Sequence, residues 1–484
     1  MQFLVLKPRR FVHKAPAAAV WLLLAALSYS QLSQAQAHVA APVVPAPVLV
    51  PVVVTASATL PTLNLSQAYQ AALLQDASLR AAQAANNARR ERLPQARSQL
   101  LPNISASASV FRNRLESVTP GFGGNPVTNN SRYTSEDRAL ILRQPLFRKL
   151  QFADVRQAEF QVEDANAILD RETQNVAVRV SSAYFEALLA QEQLTLVLAQ
   201  KTTFATQLDA ARKRFSAGAG TRTDIDEAQA ALDLNVAHEL EALQNLDYTA
   251  RQLQSLVGQS FERLAPLDPA KIELLRPMPD RLEDWLARAE LESPEIRSSK
   301  AQLEAARVEV DKAQAGHYPT LDAVAQITRS RSGTVTSVDN RYTNKTFGVQ
   351  LNIPIYAGGL VNSQIRQALA EQERAEQSLE AMRRDLGVRL HREFRGVTEG
   401  VLRIRALEQA VRSTEQVALS NQRSFQAGSR TLVDTLNAEQ QKVAAQRDLA
   451  QARFVYLISR VRLQALVGGP KTEVLDQING WLKR

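Results

Sequence analysis

Four segments of the chain alternate apolar and polar residues with a period of two, the pattern of a strand with unlike faces. Ile104, Ala106, Ala108 and Val110 alternate with small polar residues, and Leu321, Ala323, Ala325 and Ile327 alternate with Asp322, Gln326 and Thr328. Phe347, Val349, Leu351 and Ile353 do so most cleanly, against Gly348, Gln350 and Asn352. The pattern predicts strands over about 103–112, 138–146, 320–328 and 346–354, with polar loops at about 112–137 and 329–345. Roughly nine residues apiece suits a tilted membrane strand.

Around the strands the period changes to that of helices. Helices are expected over about 65–100 and 282–316. No proline occurs between Pro145 and Pro266 or between Pro354 and Pro470, so 148–217 and 357–427 read as single helices. Val176, Val180, Ala183, Ala187, Ala190, Leu194 and Val197 keep coiled-coil spacing, as do Leu390, Phe394, Val397, Val401 and Ile404. Seventy helical residues span roughly 105 Å. The return helices, 221–257 and 431–467, are about half as long, as are the first helices. Each long helix is therefore expected to lie against two shorter ones stacked end to end.

The chain also repeats itself. Asp76–Arg80 aligns with Ser293–Arg297, and Pro102 with Pro319, at an offset of 217. Pro145-Leu-Phe147 aligns with Pro354-Ile-Tyr356 at 209, and Phe215-x-Ala-Gly218 with Phe425-x-Ala-Gly428 at 210. Leu256-Val-Gly258 matches Leu466-Val-Gly468, again at 210. The colinear matches define two copies of one unit, 62–258 and 282–468. A proline-rich connector at 259–281 joins them, and a C-terminal tail covers 469–484. Pro102, Pro145, Pro319 and Pro354 mark the joints between helix and strand.

Composition narrows the class. Residues 1–37 have no acidic group and read as a secretory signal peptide. Lys7, Arg9, Arg10 and Lys14 precede an apolar run from Ala17 to Ala26, and Ala35-Gln36-Ala37 supplies the cleavage site. Residues 38–61 read as an extended Pro/Ala/Val-rich tail. Removing the four cations from the +9 of the whole chain leaves +5, with no basic block suited to nucleic acid. The absence of cysteine excludes disulfides, zinc–thiolate sites, a thiol nucleophile and a lipidated N-terminus. Five scattered histidines and no nucleophile elbow or phosphate loop leave no constellation for catalysis, a cofactor or a metal. His317, before a joint proline, is expected to pack or hydrogen-bond there.

Past the expected signal peptide no run is long and apolar enough for a membrane helix, so a membrane would have to be crossed by strands. Four strands cannot close a barrel, and an open edge cannot sit in lipid with its N–H and C=O groups unpaired. Closure across two subunits would give eight strands, and across three, twelve. The alanine-rich helix faces suit lateral packing into a helical cylinder continuous with the barrel. The competing expectation is a periplasmic coiled-coil scaffold protein without a channel.

Gly316-His-Tyr-Pro-Thr-Leu-Asp322, Pro354-Ile-Tyr-Ala-Gly-Gly-Leu-Val-Asn-Ser-Gln364 and Phe425-Gln-Ala-Gly-Ser-Arg-Thr-Leu-Val-Asp434 closely resemble motifs of the TolC family of outer-membrane efflux proteins. The likeness runs through both copies, over about 62–482. With the absent N-terminal cysteine, the Gly-x-Arg-Thr-x-x-Asp tip resembles the non-lipidated TolC branch. The resemblance implies a mostly α homotrimer with a 12-stranded β-barrel in the bacterial outer membrane and an α-helical tunnel in the periplasm. It implies the exit duct of a tripartite efflux or type I secretion system, opened at its tip by a periplasmic adaptor and an inner-membrane RND or ABC pump.

The resemblance also places a gate at the helical tips. Thr221-x-x-Asp224 and Thr431-x-x-Asp434 are variant capping boxes, and Gly218-Ala219-Gly220 and Gly428-Ser429 supply the turns. By motif position Arg430 would bond near Thr223, and the residue at 425 would face Asp224. That residue is Phe425 rather than the family's tyrosine, so its hydroxyl link is missing. Asp434 would form an acidic ring, and Asn437 stands where the family carries a second acid. The same turns, Gly218 to Thr221 and Gly428 to Thr431, would dock the adaptor.

Overall fold

The computed structural model describes residues 62–332, 340–469 and 472–483. The expected signal peptide and the segment 38–61 lie outside the described residues, as do part of the second polar loop and Pro470. Each copy of the repeat contributes one β-hairpin and one long helical hairpin. The strands are β1 (Asn103–Pro120), β2 (Pro126–Phe147), β3 (Thr320–Ser332) and β4 (Asn340–Asn352). They form one antiparallel sheet in chain order, so β1 and β4 are its edges.

Register sorts the two faces of that sheet. Ile104 pairs with Leu142, Leu142 with Ala325 and Ala325 with Phe347, which makes an apolar row across all four strands. One residue along, Ser105, Ile141, Gln326 and Thr346 make a more polar row on the opposite face. Phe347, Val349 and Leu351 are 82%, 61% and 58% exposed, so the apolar face has no partner within the subunit. An outward apolar face and an inward polar one is the arrangement of a water-filled membrane barrel.

The strands run well past the expected nine residues: β1 has 18 and β2 has 22. The polar stretch read as a loop continues the ladder to Pro120 opposite Pro126, and only Gly121–Asn125 turns. Beyond a hydrophobic band both faces of a ribbon meet water, so the apolar alternation fades while the backbone pairing continues. Pro145 lies inside β2, where the register shifts between Pro145 and Phe147, rather than between strand and helix. A residue that cannot donate to the ladder fits such an irregularity. Pro102 and Pro319 immediately precede β1 and β3, and Pro354 follows β4.

Asp322 locks the sheet to the first long helix. Its side chain is 3% exposed and accepts from Arg143 Nε at 3.0 Å and Arg148 Nε at 2.8 Å. Arg148 is the residue before α4 (Lys149–Ser216), so β2, β3 and the helix start converge on one buried carboxylate. His317 Nε2 lies 3.3 Å from Asn362 Oδ1 beside the second joint.

The long helices are α4, of 68 residues, and α8 (Leu360–Gln426), of 67, each roughly 100 Å long. They return as α5 (Arg222–Val257) and α9 (Leu432–Val467). The other half of α4 packs on α1 (Leu65–Gln75), α2 (Ala77–Arg90) and α3 (Arg92–Ser98). That of α8 packs on α6 (Leu282–Glu292) and α7 (Pro294–Gln314).

The first helix of each copy is thus broken where a single one was expected. Asp76 takes an extended backbone and caps α2 by accepting the Leu79 N–H at 2.8 Å. Ser293 is extended likewise, because the residue before a proline is pushed out of the helical region. Pro94 removes another helical donor near the start of α3. The C-terminal tail holds a further element, α10 (Glu473–Gly480), whose Leu475 and Ile478 are buried.

The main core lies at mid-height, where the shorter helices meet. The Tyr184 hydroxyl lies 3.0 Å from the Ala265 carbonyl and 3.2 Å from that of Leu63. Tyr456 Oη accepts the Leu275 N–H and donates to the Leu275 carbonyl. Two buried phenols thereby fasten the connector between the copies.

Candidate gate at the helical tips

Far from the sheet, both helical hairpins turn in the same way. Gly218 and Gly428 have φ of 73° and 79°, the left-handed conformation that suits glycine at a helix end. Thr221 then caps α5: its hydroxyl accepts the Asp224 N–H at 3.1 Å, and the Asp224 carboxylate accepts the Thr221 N–H at 2.9 Å. Thr431 and Asp434 repeat this on α9, at 3.2 and 3.1 Å. The acids expected at the gate therefore complete the helix caps.

The Thr431 N–H and hydroxyl, with Arg430 beside them, hold the Asp434 carboxyl below the ordinary carboxylate range. Arg430 Nη1 stands 3.8 Å from Asp434 Oδ1, and this is the ion pair Arg430 makes within the subunit. Thr223 is exposed, on the first turn of α5. Phe425 lies under the Arg214 guanidinium, 4.6 Å from the ring centroid, and Arg214 Nη1 reaches the Phe425 carbonyl at 3.5 Å. Gly218, Ala219, Gly428 and Ser429 are exposed, and Gly220 is half-buried.

A small apolar cluster, separate from the main core, joins the two tips. Leu432 and Leu436 of α9 pack with Phe204 and Leu208 of α4 and with Ile225 and Ala228 of α5, and Phe425 covers the edge. Sequence reading singled out Phe425 as facing Asp224, but passed over the other residues of this cluster and Arg214. The apolar spacing of Phe204, Leu208 and Ala211 marks a buried face, but not that its partner is the other hairpin.

Behind the tips α4, α5 and α9 enclose a groove of about 810 Å³, lined among others by Leu196, Phe204, Leu234, Asn235, Asn437 and Val443. Asn235 is 2% exposed. Its Nδ2 donates to Gln200 Oε1 at 3.0 Å, while its Oδ1 has no partner. Among the described residues no cluster of histidines and carboxylates could hold a metal, and no helix is long and apolar enough to cross a membrane.

Comparison with known proteins places these features. The family model for outer membrane efflux proteins matches residues 68–259 and 285–469, one stretch in each copy. The alkaline protease secretion protein AprF of Pseudomonas aeruginosa is 32% identical over 417 residues, covering 86% of this chain and 85% of that one. Outer membrane protein TolC of Escherichia coli is 30% identical over 438 residues, covering 87% and 85%. Among solved structures, the outer membrane protein VceC of Vibrio cholerae superposes with a TM-score of 0.69 at 21% identity, over 84% of this chain and 96% of that one.

Such relatives are channel proteins rather than enzymes. An edge-open four-stranded sheet with an unpartnered apolar face is what one third of a twelve-stranded barrel looks like. The chain belongs to the outer membrane efflux protein family, as a TolC-like subunit of a trimeric outer-membrane channel with its helical tunnel in the periplasm.

Proposed function

We propose that the helical tips are both the gate of this channel and its docking face for a periplasmic adaptor, which connects the duct to an inner-membrane RND or ABC pump. The observation that carries the reading is the tip arrangement itself. Two exposed glycine turns end in reciprocal caps, and a small cluster separate from the main core binds the two hairpins together. A seam held by so few residues can part while the equatorial core stays intact.

Three-fold symmetry would bring three copies of Asp434 around one axis. Within the subunit the Thr431 donors and Arg430 hold this carboxyl below the usual range, so Asp434 carries its charge at neutral pH. Such a ring favours cations. In planar bilayers, Asp434→Asn is expected to lower cation over anion preference several-fold at pH 7. An unchanged reversal potential in the variant would remove Asp434 from the constriction.

The groove beside the tips suits an amphipathic helical hairpin, with walls that mix apolar side chains such as Leu196, Leu234 and Val443 with polar ones such as Gln193, His238 and Gln440. A photo-cross-linker at Ala219 or Ser429 is expected to capture a periplasmic adaptor in cells. The same group at exposed Tyr248, toward the far end of α5, is expected to capture much less. Equal capture from the two places would contradict docking at the tips.

A further inference from the structure

Comparing the two copies of the repeat at mid-height exposes a place where one of them lacks an anion. In the first copy Asp76 breaks the helix, caps α2 and accepts from Arg179 Nη2 at 3.2 Å. At offset 217 the second copy has Ser293 in place of Asp76 and Glu295 in place of Ser78. At offset 210 Arg389 stands for Arg179. Arg389 has its counter-charges, since it pairs with Glu295 and its Nε lies 2.8 Å from an Asp385 oxygen, although that buried Nε makes no aligned hydrogen bond. Ser293 is different.

It is 1% exposed, its hydroxyl has no hydrogen-bond partner, and it makes no cap bond to α7. The first N–H groups of that 21-residue helix therefore lack the cap that Asp76 gives α2.

Ser293 lines a cavity of about 170 Å³ where α4, α7, α8 and α9 meet. Four guanidinium groups line it, those of Arg171, Arg389, Arg392 and Arg462, against the carboxylates of Glu295 and Glu393. Arg392 is held by Glu393 at 3.1 Å. Arg171 and Arg462 have no anionic partner among the described residues, and Arg171 Nε is buried without a hydrogen bond.

We infer that this cavity is a binding site for a small tetrahedral oxyanion, inorganic phosphate or sulfate, bridging Arg171 of α4 and Arg462 of α9 at the start of α7. The half-buried Arg171, whose Nε is buried without a partner, the exposed Arg462, the buried free hydroxyl of Ser293 and a helix N-terminus are groups that hold such ions. The space is large enough to admit such an ion. Arg171 lies 22 residues along α4 from its start, roughly 33 Å from the sheet, so a lipid headgroup does not reach it. The anion caps α7 as the Asp76 carboxylate caps α2, while Glu295 takes over the pairing with the second copy's arginine.

The test uses the detergent-purified full-length protein and its unfolding temperature in phosphate or sulfate against chloride at equal ionic strength. Phosphate is expected to raise that temperature saturably. R171M combined with R462M is expected to weaken the apparent affinity about 100-fold or more, since each removes a charged hydrogen bond. Ser293→Asp, which restores the carboxylate of the first copy, is expected to raise the unfolding temperature in chloride and abolish the phosphate response. A parent protein equally stable in the two salts, or a Ser293→Asp protein that keeps the full phosphate response, would overturn the inference.

Discussion

Replacing Leu432 with alanine is expected to open the channel. Leu432 is 1% exposed at the first position of α9, and it reaches across to Phe204 and Leu208 of the other hairpin. Truncating a buried leucine costs about 2–5 kcal/mol, and a tip cluster this small has few neighbours to refill the space. A conformational equilibrium shifts by the difference in contact energy between its two states. If the Leu432 contacts exist only while the hairpins lie together, about 3 kcal/mol favours the parted state by roughly two hundred-fold. Single-channel conductance and leakage of large antibiotics into cells should both rise. The trimer band on unheated gels should persist, because the main core does not include Leu432. Unchanged conductance would mean that this cluster is not the latch.

Asp322→Ala should act at the other end, on assembly. Removing one partner of a buried ion pair costs about 3–5 kcal/mol, because the remaining charges lose their counterion. Arg148 is 23% and Arg143 49% exposed, so water recovers part of that and the lower end of the range applies. The expected result is a trimer that dissociates at a temperature lower by several degrees, with Asp322→Asn in between because the amide oxygen still accepts a hydrogen bond. A trimer of undiminished heat resistance would show that the joint does not depend on this carboxylate.

How far the molecule could be read from its sequence differed between its parts. Period-two alternation at Phe347–Ile353 and the coiled-coil spacing from Val176 to Val197 are signals of burial on one face. They led to a fold class that the solved relatives share. The long arms of β1 and β2 left no such signal. Thr128, Asn129 and Asn130 pair with Val118, Ser117 and Glu116 through the backbone alone, and side chains facing water on both sides carry no period. The breaks at Asp76 and Ser293 were marked by two capping residues at aligned positions, but a helical period on either side hid them. Helix α10 was legible in the spacing of Leu475, Ile478 and Leu482, yet is short enough to pass for a tail.

At the tips, the Thr-x-x-Asp boxes could be read locally because a cap joins residues three apart. The Arg214–Phe425 stack and the Leu432 cluster join residues more than two hundred positions apart, and nothing in the local pattern pairs them. The arginine-lined cavity is of the same kind, built from four separate elements.

The central claim is that the sheet closes into a barrel only between subunits, with β4 of one chain against β1 of the next. The protein has no cysteine, so introduced pairs report without background. Cysteine pairs along the two edge strands, one at Ser105, Ser107 or Ser109 and one at Thr346, Asn344 or Tyr342, should be oxidised in isolated outer membranes and run on denaturing gels. The account predicts that at least one register gives a covalent ladder ending at three chains. Recovery of the chain in the soluble periplasm, or monomer alone at every register, would contradict it.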